Sequence, residues 1–468
     1  MSINLTGSND EVEATDALAR KGNDEDQMGR GSLAMAWYGV ASAMFYVYVG
    51  AAMALAYGTV NALIGVALTI VVYGVINAIL SRYAINNRTT VAQFSRTILG
   101  TAGSSIATLI FALIAIYYAV FEGSIVAYAF QTQFGGEMWM WSLIVVLYST
   151  PLIIGGVRRF LDKLNGWLLP IYFFGLIAAV IWAGALYGFS DAWLTHTPEA
   201  PIPFALGGPG WLAAFVGYMG VWILMMFTMD YAALGKRKDT RFHQWVSFGP
   251  VFYLLAFGFT ALVGIFLTFT IPGMEATETG VAGGIVQMMG ILGLLIVFAS
   301  QTRINTANYY LGAANLKAFG ERVFRIKMPN IVWVLLSSIV IFLLMLLPIV
   351  EYLLLALAWQ GVLVTAWVAI ALTYVLMSRG QGQEHAAIED RHYKALNMNG
   401  LIAWLVATVV GIVMLQLSQL SPELAGVGST WGPILTVVTA AGVYAILWKA
   451  NPARRSALTG ASAPTGRH

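Results

Sequence analysis

An all-helical membrane protein that crosses the bilayer twelve times is the fold class this sequence predicts, and three observations carry the prediction. The 468 residues are 59% hydrophobic and 10% charged, with a mean hydropathy of +0.75. An average soluble protein is about a quarter charged, so this chain has too few charges for a water-facing shell. Twelve apolar runs follow one another, each near the roughly twenty residues that a hydrocarbon core about 30 Å thick demands of a helix. Finally, the connections between runs alternate in charge along the chain.

Residues 1–31 are polar and acidic, with Asp10, Glu11, Asp24, Glu25 and Asp26. They lack the basic start and apolar centre of a cleavable signal and read as a disordered cytosolic tail. The transmembrane domain is expected over residues 32–449. Its spans 1 to 6 are Leu33–Tyr57, Val60–Leu80, Ser104–Phe130, Met138–Gly155, Gly166–Tyr187 and Trp211–Tyr231. Spans 7 to 12 are Trp245–Thr270, Val281–Ala314, Ile331–Leu347, Val350–Met377, Leu401–Leu417 and Trp431–Trp448. The eighth is too long for one crossing and turns polar at Gln301. Residues 450–468 are small, polar and basic and read as a second cytosolic tail.

Of the 25 Lys and Arg residues, all but Arg303 fall in the two tails or in the connections after spans 2, 4, 6, 8 and 10. The opposite connections carry only acids: Glu137, Asp191, Glu199, Glu275, Glu278 and Glu423. Under the positive-inside rule this places both termini in the cytoplasm of a bacterial inner membrane protein.

Several chemistries are excluded. Cysteine is absent, and the five His residues show no metal-ligand spacing. There is no Ser-His-Asp arrangement, no nucleotide-binding loop and no basic surface suited to nucleic acid, so no catalytic residue and no cofactor is expected. The expected partners are the lipid bilayer and a small-molecule substrate; the oligomeric state is not readable. Intramembrane ionisable residues are functional candidates by default. They are Glu122 in span 3, Asp230 at the inner end of span 6, Arg303 in span 8 and Glu351 near the outer end of span 10. Glu122 is read as a substrate or proton site in preference to a plain interhelical hydrogen bond. Arg303 is read as buried in preference to snorkelling, because the run stays apolar as far as Leu316. Asp230 is read as a helix-end or ion-pair residue, and Glu351 as solvated. In span 6, Gly217 and Gly220 weaken the helix and point to a break at mid-membrane, with Trp222 beside it offering a flat aromatic face.

Three segments resemble the nucleobase–cation symporter family, in the pattern of bacterial cytosine permeases and more distantly of the hydantoin permease. Phe121-Glu122-Gly123 resembles its Trp-Phe-Gly, Gly220-Val221-Trp222 its Gly-x-aromatic, with Asp230-Tyr231 as the acid–aromatic pair that follows. The segment from Gln301 to Tyr309 resembles its hydroxyl and asparagine motif for cation and substrate. The likeness runs roughly from span 1 to span 10. It implies a LeuT-like fold, with spans 1–5 and 6–10 as inverted repeats and two C-terminal accessory helices. It also implies alternating access, with a bundle of spans 1, 2, 6 and 7 rocking on a scaffold of spans 3, 4, 8 and 9. The expected solute is a nucleobase-like N-heterocycle or a related amide or amidine, with Phe121 and Trp222 stacking on the ring. Glu122, Asn305, Asn308 and Gln301 would read its polar edge, with Gly220 at the break and Gln360 as a further polar group.

This sequence departs from the family pattern three times. Phe121 stands for the first stacking aromatic and keeps its π-face. Glu122 replaces an apolar residue, which suits an amino-bearing or cationic edge. Arg303 falls where the second cation-binding hydroxyl belongs, leaving Thr302 alone. A fixed guanidinium there would repel sodium and stand in for it, so transport is expected not to require sodium and to run with protons, by exchange or by facilitation. An amino-acid or amine permease on the same fold is the alternative. A channel or a receptor is disfavoured, because the polar residues are isolated and do not form a continuous lining.

Overall fold

The structure, a computed structural model, describes residues 27–154, 157–198, 208–347, 353–378, 394–420 and 422–450. The two tails, apart from Gln27 to Gly31 and Ala450, and Glu351 lie outside them. Each of the twelve predicted runs overlaps helix among the described residues. Among the described residues seven helices are long and apolar enough to cross a membrane, and nine when two bent pairs are each taken as one span. Met138–Ile154 and Asn330–Met345, in the positions of spans 4 and 9, are shorter apolar helices. Lipid offers no partner for backbone amides, so helices that satisfy their own N–H and C=O groups are the solution such runs reach.

Spans 1 and 6, five apart, are the bent pairs. Span 1 was expected to be continuous but consists of Arg30–Tyr38, a short turn Val40–Ser42, and Met44–Tyr57, bent by 47°. Span 6 runs Gly210–Gly217, tightens into a 3₁₀ turn at Tyr218–Val221, and resumes as Ile223–Ala232 with a 46° bend. The second break begins at Gly217, where the glycine spacing put it. The first falls in Gly39-Val40-Ala41-Ser42, small residues without the bracketing glycines that marked span 6.

Close packing of small residues holds the second half of span 1 on span 7. A Cβ on Gly264 would sit 1.9 Å from the Val47 carbonyl, and one on Gly50 2.4 Å from the Ala261 Cα. Without a hydrophobic drive between helices in lipid, such backbone approach is how they gain contact energy.

Span 3 begins inside the Val91–Phe134 helix, which breaks at Gly100 with φ 84°, a conformation that glycine adopts without steric cost. Its restart leaves orphan N–H groups, which the segment before span 11 satisfies. Thr101 N donates to Lys394 O (3.0 Å) and Ala102 N to Ala395 O (2.9 Å), while Asn397 N donates back to Leu99 O (3.0 Å). Upstream, Thr90 and Gln93 form a capping box. Val91 N donates to Asp230 Oδ1 at 2.8 Å. Asp230 thus has a helix-end role, on a neighbouring helix and not on its own.

The long eighth run is two helices. Glu278–Met289 and Ile291–Phe319 are joined at Gly290, and they pack closely enough that a Cβ on Gly293 would lie 2.4 Å from the Ile285 carbonyl. They form a hairpin whose first helix, about 18 Å long at 1.5 Å per residue, starts at Glu278.

Candidate functional site

The two breaks face one side of span 8. Ser300, Gln301, Ile304 and Asn308 share that side by helical spacing. Ser300 and Ser42 exchange side-chain-to-carbonyl hydrogen bonds across the span 1 break, the Ser42 Oγ donation to Ser300 O measuring 3.2 Å. Gln301 is the hub. Its Oε1 accepts from Met44 N (3.1 Å) and from Ser300 Oγ (3.2 Å). Met44 opens the second half of span 1, so its N–H is one of the donors a helix start leaves unpaired. The Gln301 Nε2 donates to Glu122 Oε2 at 2.5 Å and to Glu278 Oε1 at 3.4 Å.

Glu278 belongs, by sequence, to an acidic connection outside the membrane. Here it is 2% exposed, as is Glu122, because the hairpin's first helix starts beside Gln301. That is a correction to the sequence reading.

Between the breaks lies a cavity of about 30 Å³, room for roughly one water molecule. Val40 and Ala43 line it from the span 1 break, and Val221 and Ile223 from span 6. Phe45, Tyr46, Tyr118 and Phe227 supply aromatic walls, and Glu122 and Asn308 the polar groups. Asn308 is buried and its Nδ2 has no hydrogen-bond acceptor among the described residues.

The other predicted residues are distributed around this centre. Gln360 sits behind the wall and accepts from Tyr118 Oη at 2.9 Å. Phe121 is buried outside the cavity lining. Trp222 turns edge-on to Tyr73 of span 2, with ring centroids 5.8 Å apart, and also lies outside the lining. Gly220 lets span 6 approach span 10, since a Cβ there would be 3.0 Å from the Leu357 carbonyl. Asn305 faces Gly123 of span 3. Thr302 points away from span 1, its Oγ1 3.0 Å from the Tyr148 Oη of span 4.

Arg303 is 1% exposed, so it is buried and does not snorkel. Its guanidinium nitrogens have no hydrogen-bond acceptor among the described residues. The charge faces Tyr172 of span 5, whose Oη donates to Ala43 O of the span 1 break at 3.5 Å. The cation therefore stands beside the junction of spans 1, 5 and 8. Sequence reasoning missed Ser42, Ser300, Tyr118 and Glu278. The first three are common residues in apolar runs, and the fourth depends on where the hairpin starts. No group of three metal-ligating side chains occurs among the described residues.

With the breaks and their cavity in view, the fold can be compared with known structures. Mhp1, a nucleobase-cation-symport-1 family transporter in a closed conformation with bromovinylhydantoin bound, superposes with a TM-score of 0.67 at 16% identity. That match covers 91% of this chain and 93% of the other. A sodium-coupled sialic acid symporter in a substrate-bound outward-open state gives 0.58 at 11% identity, over 93% and 94%. A manganese transporter of Eremococcus coleocola gives 0.54 at 16%, over 97% and 98%. No family model and no curated protein matches the sequence. The chain is thus a multi-pass membrane protein with the LeuT-like fold that these transporters share.

Proposed function

We propose that this protein is a secondary transporter that takes up a small nucleobase-like N-heterocycle, or a related amide or amidine solute, by alternating access without requiring sodium. The observation that carries the reading is the cavity at the crossing of two broken helices, walled by aromatic rings and offering a carboxylate and an amide. Broken helices at mid-membrane present free backbone groups to a solute, the arrangement transporters use. Tyr118, Phe45 and Phe227 would flank a flat ring, while Glu122 and Asn308 would read its edge. Phe121 and Trp222, the pair the family resemblance suggested for stacking, would have to turn to reach it. A pocket with room for about one water is far below the 300–1,000 Å³ of a ligand site, so solute entry requires spans 1 and 6 to swing from span 8.

The basic face is taken as cytoplasmic in a bacterial inner membrane, from the charge bias of the connections. Arg303 beside the span 1 break supplies a fixed positive charge where an ion would otherwise brace spans 1 and 8. Uptake of radiolabelled nucleobases and hydantoins into proteoliposomes should therefore persist when choline replaces sodium; collapse of uptake would end the sodium-independent reading. A cationic amine is the second reading, favoured by Glu122 at the cavity wall and by Glu278, which shares the Gln301 amide with it. Competition by amines and not by neutral heterocycles would select it.

A further inference from the structure

Glu122 and Glu278 present two carboxylates to one amide nitrogen, at 2.5 and 3.4 Å from Gln301 Nε2. Their accepting oxygens therefore lie within about 6 Å of each other, the range in which like charges oppose each other's ionisation. Gln301 gives each a hydrogen bond but no charge. Neither acid forms an ion pair with another described residue. Of the helices packed around them, span 1 brings Tyr46 and Tyr48, span 3 brings Tyr117 and Tyr118, and span 5 brings Tyr172. Arg303 of span 8 faces Tyr172. The Phe45 backbone N–H also points at Glu278. These are neutral donors apart from Arg303, whose charge is directed at the tyrosine. A second, independent feature marks the place as a binding site. The Asn308 amide nitrogen, without an acceptor among the described residues, belongs to a side chain that is 1% exposed and borders the same cavity as Glu122.

We propose that Glu122 and Glu278 form a proton site, in which one proton, carried by one or the other carboxyl, locks the hairpin helix Glu278–Met289 against span 3. A buried pair of like charges is untenable, and a single proton converts it into an acid–carboxylate pair. When the proton leaves, the second charge is relieved by withdrawing Glu278 into water. The route is short, because Glu278 is the first residue of its helix and the preceding Thr277 and Glu275 are exposed. The helix moves as a body. It packs on span 3 through Gly283, where a Cβ would meet the Tyr128 ring at 2.9 Å. The site is thus a lid latch, and closure takes up a proton. This goes beyond the transport reading and does not depend on which solute is carried.

The chain has no cysteine, so one introduced thiol reports on the lid. Val281, fully buried on the hairpin, is replaced in Val281→Cys. Its maleimide labelling rate is measured in lipid nanodiscs across about pH 5 to 9 and divided by that of the exposed reference Ser190→Cys, which cancels thiol ionisation. The normalised rate is expected to rise with pH, by about tenfold per unit through the transition if one proton holds the lid. With Glu278→Gln in the same background the lid is expected to stay shut and the rate low and flat, while Glu278→Asp, which keeps a titrating group, retains the rise. A flat profile in the parent, a rise that survives Glu278→Gln, or a rise lost equally in Glu278→Asp would each overturn the latch. No solute is used, so failure here is separable from failure of the uptake assay.

Discussion

Glu122→Gln is the substitution with the sharpest consequence. The amide keeps an acceptor for the Gln301 Nε2 that now lies 2.5 Å from the carboxylate, so the hub that ties span 3 to span 8 survives. What disappears is the charge at the cavity wall. A hydrogen bond to a charged group contributes about 1.5–3 kcal/mol, against roughly 0.5–1.5 for a neutral one. The difference therefore falls on solutes that donate from an amino or amidine edge, and it amounts to about 1–2 kcal/mol, or roughly fivefold to thirtyfold in Kd. Solutes with only keto groups on that edge have no donor to lose and should change by less than about threefold. Equilibrium binding to purified protein, by calorimetry or scintillation proximity, with an amino-bearing and a keto-only nucleobase side by side, measures both. Equal loss for the two classes would refute the edge-reading role and leave Glu122 to structure or to the proton.

Three further outcomes follow from the same geometry. Gln301→Leu removes the acceptor of the Met44 N–H and the donor to both carboxylates. It should lower stability by roughly 3–5 kcal/mol, seen as a depressed Tm in detergent; a parental Tm would mean that the hub is dispensable. Arg303→Ser restores a hydroxyl and removes the cation, and sodium but not choline should then stabilise the fold, by about 1.4 kcal/mol when sodium is tenfold above its Kd, read as a higher Tm. No such difference would discount the guanidinium as an ion substitute. Gly264→Ala forces a methyl onto the Val47 carbonyl and should cost about 1–3 kcal/mol. Denaturation that matched the parent would show that span 1 can yield without penalty.

Most of the fold was legible because lipid leaves a chain few options. Apolar length fixes where helices stand. The break in span 6 was legible too, since Gly217 and Gly220 depress helix stability on opposite sides of one turn. The break in span 1 was not, because Gly39 stands alone there without a second glycine to bracket a turn. It is held open by Ser300 and Gln301, which are more than 250 residues away. The same distance hid the second carboxylate. Glu278 follows Pro272-Gly273 and Glu275 in a segment whose composition is that of a surface turn, and only the tertiary contact with Gln301 brings it near Glu122. Charges that a single helix displays, such as Glu122 and Arg303, were visible. Pairings made by tertiary approach were not.

The clasp at Gly100 has a consequence for the far end of the chain. The helix that carries Glu122 starts from amides whose acceptors are the carbonyls of Lys394 and Ala395. A chain shortened before residue 394 would leave those amides facing hydrocarbon or an open crevice. Such a truncation would therefore unseat the floor of span 3. Deletion of the last two helices together with the segment at Lys394 and Ala395 cannot serve as a neutral trimming of the protein.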